Sequence, residues 1–245
     1  MHYYAKNKLR STKYNGFAIA LAWPETLCKR AGAWYDFPMH YLGVSSKGYY
    51  KVGHAAVVLV DDETRHCRYF DFGRYHAPHG HGRVRSAETD HDLIINTKAV
   101  IAANGKKIAN LDEILAELYR NPSTHGSGII YGTATRIRID KALDLSRQFQ
   151  QKEFIPYGPF IPNGTNCSRF VSSVVQAGLP AARLFDMKAS LPALLQRMEL
   201  KIPLTISPTP MWILRAIGGE ISSYSKVCKT AEEIFQNPEA KILAA

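Results

Sequence analysis

The chain has 245 residues, a formal net charge of +10, and 46% hydrophobic, 21% charged and 11% aromatic content. That balance suits a soluble globular protein able to bury a substantial core, as one large domain or two small ones. It excludes a membrane span, since no stretch approaches roughly 20 apolar residues. The positive charge favours anionic lipid, nucleic acid or an anionic polymer as partner. Lys and Arg are nevertheless dispersed, with no run of about five like charges, so no nucleic-acid footprint is read.

The N-terminal stretch MHYYAKNKLRSTKYNGFAIALAWPET is basic, but its apolar run from Phe17 to Trp23 is short and late for a signal peptide. A cytoplasmic location is expected. Gly16 to Trp23 reads as a buried strand, and Pro24 as the opening of a helix from Thr26 to about Tyr35. Tyr49 to Val60 and Arg65 to Phe72 read as strands, followed by a Gly- and His-rich loop from Tyr75 to Asp92. A strand is expected around Leu93 to Ile101, a turn at Asn104-Gly105, and a helix from Leu111 to Tyr119 capped by Asn110. Gly128 to Ile139 alternates like a strand, and Asp140 is read as the cap of a helix reaching about Phe154.

A Pro/Gly loop then leads into PNGTNCSRFVSSVVQAG. Asn166 and Thr165 are N-cap types; Phe170, Val171, Val174 and Val175 recur at helical spacing; Gly178 and Pro180 mark the stop. Cys167 therefore stands in the first turn, where the positive end of the helix dipole favours thiolate. A small buried hydrophobe is the competing reading. Beyond Gly178 the pattern is helical and loop-rich, with SPTPMWILRAIGG as a short proline-led helix. No repeat or low-complexity linker interrupts the chain. One α+β domain is expected over 1–245, with 50–178 as the core and 1–49 and 179–245 as elaborations.

A reactive thiol needs a base. In GHAAVVLVDDETRHCRYFDFGRY, the turn Asp61-Asp62-Glu63-Thr64 closes two strands. With Asp61 opposite Thr64 in a tight hairpin, His54 lies directly across from Asp71, with Cβ atoms about 5 Å apart on one face. A one-residue slip would separate them. Imidazole and carboxylate are the roles a thiol nucleophile uses, as proton acceptor and orienter. A core histidine and a solvent-facing Asp71 on an edge strand remain the alternative.

GHAAVVLV and TNCSRFV, in this order, resemble the permuted branch of the NlpC-type papain-fold cysteine hydrolases, which includes YiiX-like and lecithin retinol acyltransferase-like proteins. In that branch the histidine strand precedes the cysteine helix. The cysteine lies in an Asn-Cys-x-x-Phe-Val signature, here Asn166 to Val171. IRIDKALDLSRQFQQKEFIPYGPF is similar to the strand, helix and aromatic loop that precede the family's cysteine. The resemblance spans about Tyr50 to Gly178. It implies a permuted papain-like fold and a Cys167, His54 and Asp71 catalytic set. It also implies acyl transfer through a thioester to water or another acceptor, with no metal or organic cofactor. The oxyanion would be held by the Cys167 N–H and a second donor; Tyr157 is the candidate, with Asn166 beside it in substrate binding. A peptide, an isopeptide, a peptidoglycan fragment or a lipid acyl group would serve as substrate. The long His-rich insertion departs from the family, and so does the lack of an export signal.

Three other features compete. His76, His79 and His81, with Asp90, His91 and Asp92, suit a transition metal by ligand type but not by spacing; the same loop would also serve as a lid. Arg83, Arg85, Lys98, Lys106 and Lys107 read as a solvated basic face, open to peripheral contact with an anionic surface. Tyr3, Tyr4, Trp34, Tyr35, Tyr49 and Tyr50 suit a groove or simple packing. Cys28, Cys67, Cys167 and Cys228 are far apart, with no CxxC pair and no zinc-ribbon spacing; two disulfides are possible in principle, but a chain this long does not need them and a reducing compartment is the simpler reading. Cys67 shares the face of Asp71 by parity and would lie near the site without acting in it. A non-catalytic binding module of the same fold, attracting an anionic partner, is the rival to the enzyme.

Overall fold

The structure is a computed structural model that describes residues 14–30, 36–41, 45–50, 52–158, 161, 163–180 and 209–225. In chain order, β1 is Gly16–Trp23, β2 Cys28–Lys29, α1 Asp36–Tyr41, β3 Ser45–Ser46, β4 Tyr49–Tyr50, β5 His54–Asp61, β6 Cys67–Gly73 and β7 His81–Arg85. There follow α2 Leu111–Arg120, β8 Ile130–Ile137, α3 Ile139–Gln150, β9 Ile155–Pro156, α4 Cys167–Gly178, α5 Pro210–Ile217 and β10 Ser222–Tyr224. Seven strands form one sheet in the order β10-β8-β1-β5-β6-β7-β9, with every neighbouring pair antiparallel. This is a mixed α+β arrangement with a large antiparallel sheet. No described helix is long and apolar enough to cross a membrane.

Both faces of the sheet are covered, which is why β1 is a continuous apolar run rather than an alternating one. Ala18, Ala20, Val57, Leu59, Phe70 and Phe72 point to one face, against Phe170 and Val174 of α4 and Ile213 and Leu214 of α5. Phe17, Ile19, Leu21, Val58 and Tyr69 point to the other, against Ile114, Leu115 and Leu118 of α2. β1 belongs to the stretch 1–49 read as an elaboration, yet it stands at the centre of the sheet, between β5 and β8.

Several local expectations are corrected. Residues 26–30 are not helical and include the strand at 28–29; the rest of that expected helix, 31–35, lies outside the described residues. The Gly/His loop contains β7, because Gly82 can pack where a Cβ would strike the Phe72 ring and the Gly73 carbonyl. The strand expected at 93–101 is not formed: Leu93 ends a 3-10 turn over His91–Leu93, and only Ile94 and Ile101 make isolated bridges, to Arg68 and Ile108. Asn110 does not cap α2 with its side chain; its Oδ1 accepts from the Val100 N–H. Arg138, not Asp140, is the N-cap residue of α3. The Cys167 helix and the proline-led helix stand where expected, and the Asn166 side chain caps α4 by accepting from the Arg169 N–H at 2.9 Å. Tyr3, Tyr4, Trp34, Tyr35, Cys228 and the helical pattern of 181–208 lie outside the described residues.

The β5–β6 hairpin differs in register. Val60 pairs with Cys67, so Asp71 stands opposite Ala56 rather than His54. The reason is the turn. Asp61 Oδ1 accepts from the Glu63 and Thr64 N–H groups at 2.9 and 2.8 Å, and Arg65, at φ +61°, donates its N–H to the Asp61 carbonyl. The loop is thereby two pairs of residues wider than a tight hairpin. The shift in partner is two residues, and with a side-chain period of two it leaves His54 and Asp71 on the same face as diagonal neighbours.

Candidate active site

Gly53 sets the entry to β5. Its φ of +75° lies in the left-handed region, and a Cβ there would stand 2.8 Å from the Trp23 carbonyl. The next residue, His54, is buried, and its Nε2 meets Asp71 Oδ2 at 3.3 Å. Trp23 stacks on the ring with centroids 5.7 Å apart, and Tyr75 meets it edge-on at 6.5 Å. Asp71 is fully buried and accepts from three further donors: Arg85 Nε at 3.0 Å, Arg85 NH2 at 2.5 Å and the Tyr69 hydroxyl at 3.1 Å. A two-pronged arginine contact of this kind suits a carboxylate and lets the charge stay buried. Arg85 also donates to the Ser123 carbonyl at 3.0 Å, and its guanidinium lies 4.1 Å from the Tyr75 ring centre. Tyr75 in turn stacks on His125 at 4.1 Å.

Cys167 comes from the opposite face. α4 packs with Phe170, Val171, Val174 and Val175 against the layer containing Ala55 and Val57. His54 and Asp71 have the parity of Ala56 and Tyr69, which belong to the other layer. The two meet at the end of the sheet. The β5–β6 ladder stops at the Ala56–Asp71 pair, and beyond it His54 and the Ala55 N–H act on the charge of the Cys167 sulfur. The sulfur also meets the Ser168 hydroxyl at 3.9 Å. Because Nε2 faces Asp71, Nδ1 is the nitrogen left for the sulfur.

Charge states follow. Burial pulls the His54 pKa down, but the bonds to Asp71 and Cys167 outweigh it and push it up to about 9. Burial pushes the Cys167 thiol up, while His54, the Ala55 N–H and Ser168 bring it below its ordinary value of 9.0. Burial likewise opposes charge on Asp71, yet His54 and Arg85 hold it below the usual carboxylate value. The three directions are mutually consistent: a thiolate and a carboxylate on either side of an imidazolium. In the first turn of α4 the Arg169 and Phe170 N–H groups are taken by Asn166, leaving the Cys167 and Ser168 amides without an intrahelical partner.

Tyr157 lies beside this thiol: its ring stacks on Phe72 at 5.7 Å, and the charge of Cys167 acts on its hydroxyl. Asn166 flanks the thiol, with Oδ1 occupied in the cap. Cys67 is on the Asp71 face but opposite Val60, near the far end of β6, where burial pushes its thiol up to about 12. Among the described residues no group of three or more His, Cys, Asp or Glu is placed to hold a metal ion. The basic set disperses: Arg83 pairs with Asp90 at 2.6 Å, Lys107 with Glu220 at 2.9 Å, and Arg85 is interior. Reading Arg85 as a solvated cation is the main correction at the site. Its register partner is Asp71, so recognising β7 inside the histidine loop was the signal that would have found it.

Comparisons with known proteins bear on the family and the fold. No curated protein matches the sequence. The fold is similar to the crystal structure of the type VI secretion system effector TseH, with a TM-score of 0.53 and 18% identity over 87% of this chain and 94% of that one. Residues 18–183, more than half of the sequence and inclusive of His54, Asp71 and Cys167, match the family described as type VI secretion system effector TseH-like. The chain therefore belongs to the TseH-like effector family.

Proposed function

We propose that this chain is a cysteine hydrolase or acyltransferase of permuted papain-like, NlpC-type architecture, with Cys167 as nucleophile, His54 as acid and base, and Asp71 as orienter. The observation that carries the reading is the buried His54–Asp71 pair at 3.3 Å, with its imidazole acting on the thiol of Cys167, itself buried at a helix start. Membership of an effector family supports a hydrolytic role against a target cell. On this reading the chain is made in the cytoplasm and acts on a peptide, a peptidoglycan fragment or a lipid acyl group.

The thiolate attacks the carbonyl carbon of an amide or ester. The oxyanion is met by the Cys167 and Ser168 N–H groups, with Tyr157 as the side-chain donor. As the C–N or C–O bond breaks, His54 Nδ1–H protonates the leaving atom, giving a thioester. Water then gives a proton to Nδ1 while its oxygen bonds the carbonyl carbon and the C–S bond breaks. Asp71, held ionised by Arg85, keeps the imidazole oriented throughout.

Purified peptidoglycan sacculi, a peptide library and phospholipid vesicles, followed for new amino groups or free fatty acid, test this. Cys167→Ala should reduce turnover by on the order of a thousandfold or more; full activity in that variant would end the proposal. Rates should hold between the lowered pKa of Cys167 and about pH 9, then fall as His54 loses its proton. Iodoacetamide labelling separates the enzyme from a binding module, because only a thiolate formed well below pH 9 labels rapidly near neutrality.

A further inference from the structure

Phe70 and Phe72 of β6 face the α4 layer, and Arg74 lies in the bend just past the end of that strand, on the Tyr157 side. Its guanidinium lies 5.3 Å from the Tyr157 ring centre; Tyr157 stacks on Phe72, and Phe72 packs on Phe170, one turn along from Cys167. Arg74 also donates to the Lys29 carbonyl, which fixes it beside Cys28, whose sulfur meets the carbonyl of Gly53 at 3.5 Å. Arg74, Tyr157 and Cys28 are thus linked through Phe72 and Phe170 to the helix start that bears Cys167. The electrostatics agree. Burial raises the Cys28 thiol to about 12, and the Cys167 charge adds to this while Arg74 opposes it. Burial raises Tyr157 as well, with Cys167 and Cys28 adding and Arg74 again opposing.

The contrast with the other site arginine is instructive. Arg85 is buried and spent on Asp71. Among the described residues Arg74 has no carboxylate within ion-pair distance, and it is only partly buried. The Tyr157 hydroxyl beside it makes no hydrogen bond among the described residues. A guanidinium backed by an aromatic face is suited to receive a planar anion.

We propose that Arg74 is a specificity-determining residue that pairs with a carboxylate of the substrate, so that the preferred substrates carry an acidic group close to the scissile bond. This rests on the thiol-hydrolase reading, since it places the reacting carbonyl at Cys167.

The test needs no natural substrate. Iodoacetate and iodoacetamide alkylate the same sulfur with loss of iodide, and differ in that the first carries a carboxylate. The ratio of their rates, mapped to Cys167 by mass, reads the cation beside the thiol. Arg74→Gln should lower the iodoacetate-to-iodoacetamide ratio about fivefold, as expected for one partly exposed charge, and Arg74→Lys should keep most of it. Raising sodium chloride from about 10 mM to about 150 mM shortens the screening length from about 30 Å to about 8 Å and should lower the wild-type ratio further than that of Arg74→Gln. An unchanged ratio in Arg74→Gln overturns the proposal. If that variant does not fold, a wild-type ratio that is insensitive to salt overturns it equally. Failure of the hydrolase reading has a different signature, a slow iodoacetamide rate near neutrality, and the ratio measured above pH 9 on the ionised thiol still reports on Arg74.

Discussion

The two faces of the sheet contribute opposite things to one site. The α2 face supplies charge: His54, Asp71, Arg85 and the Tyr69 hydroxyl are interior and tied together by hydrogen bonds. The α4 face supplies position: Cys167 is delivered by a helix whose inner side is Phe170, Val171, Val174 and Val175. Polar networks are directional and unforgiving of a missing partner, whereas apolar packing tolerates a change of shape at a graded cost. The site therefore has one half that sets protonation and another that sets distance, joined only at the end of β5. Substitutions that separate these halves would sharpen or break that division.

Arg85→Met should have the largest effect. It leaves Asp71 buried with only His54 and Tyr69 as partners, a loss of about 3–5 kcal/mol measured by urea denaturation. It should also change the pH dependence. Asp71 is held below its unfolded value of 3.8, so its contribution is fully present above that pH and is lost as pH falls through the lower, folded value. The wild-type urea midpoint should hold down to about pH 4, while Arg85→Met, with a higher Asp71 pKa, should start to lose stability at higher pH. An identical acid limb in both would show that Arg85 does not hold Asp71 ionised.

Phe170→Leu tests the other half. A smaller side chain between Phe72 and Phe149 should cost about 1–2 kcal/mol. It should slow thiol alkylation at every pH by a similar factor, because distance changes and charge does not. A shift in the pH profile, rather than a vertical displacement, would break the division. Tyr69→Phe is the mildest change: Asp71 keeps both Arg85 bonds, and the loss should be about 1 kcal/mol with little effect on labelling. A loss of reactivity as large as that of Arg85→Met would mean that the hydroxyl, not the guanidinium, governs Asp71.

Much of the local structure was legible. β1, β8, α4 and α5 follow from apolar periodicity, β-branched runs and stop residues, and the Asn166 cap follows from residue type. The hairpin register was not, because it depended on the Asp61 side chain accepting two backbone N–H groups and so widening the loop. His54 and Asp71 still share a face because the shift is an even number of residues. Arg85 was hidden for a related reason: β7 is short and glycine-containing, and reads as loop until it is seen against β6.

What the sequence determined by itself is local: which residues start and stop elements, and the parity that puts an imidazole and a carboxylate on one side of a strand pair. These depend on backbone preferences and on a period of two, both carried in consecutive residues. What only the tertiary structure decided is the meeting across the sheet. The β5–β6 ladder ends at Ala56, the α4 helix brings Cys167 to that end of the sheet, and Arg85 enters the interior to neutralise Asp71. Those contacts join segments distant in the chain, and their geometry is set by how two apolar layers pack around the sheet rather than by any one stretch of residues.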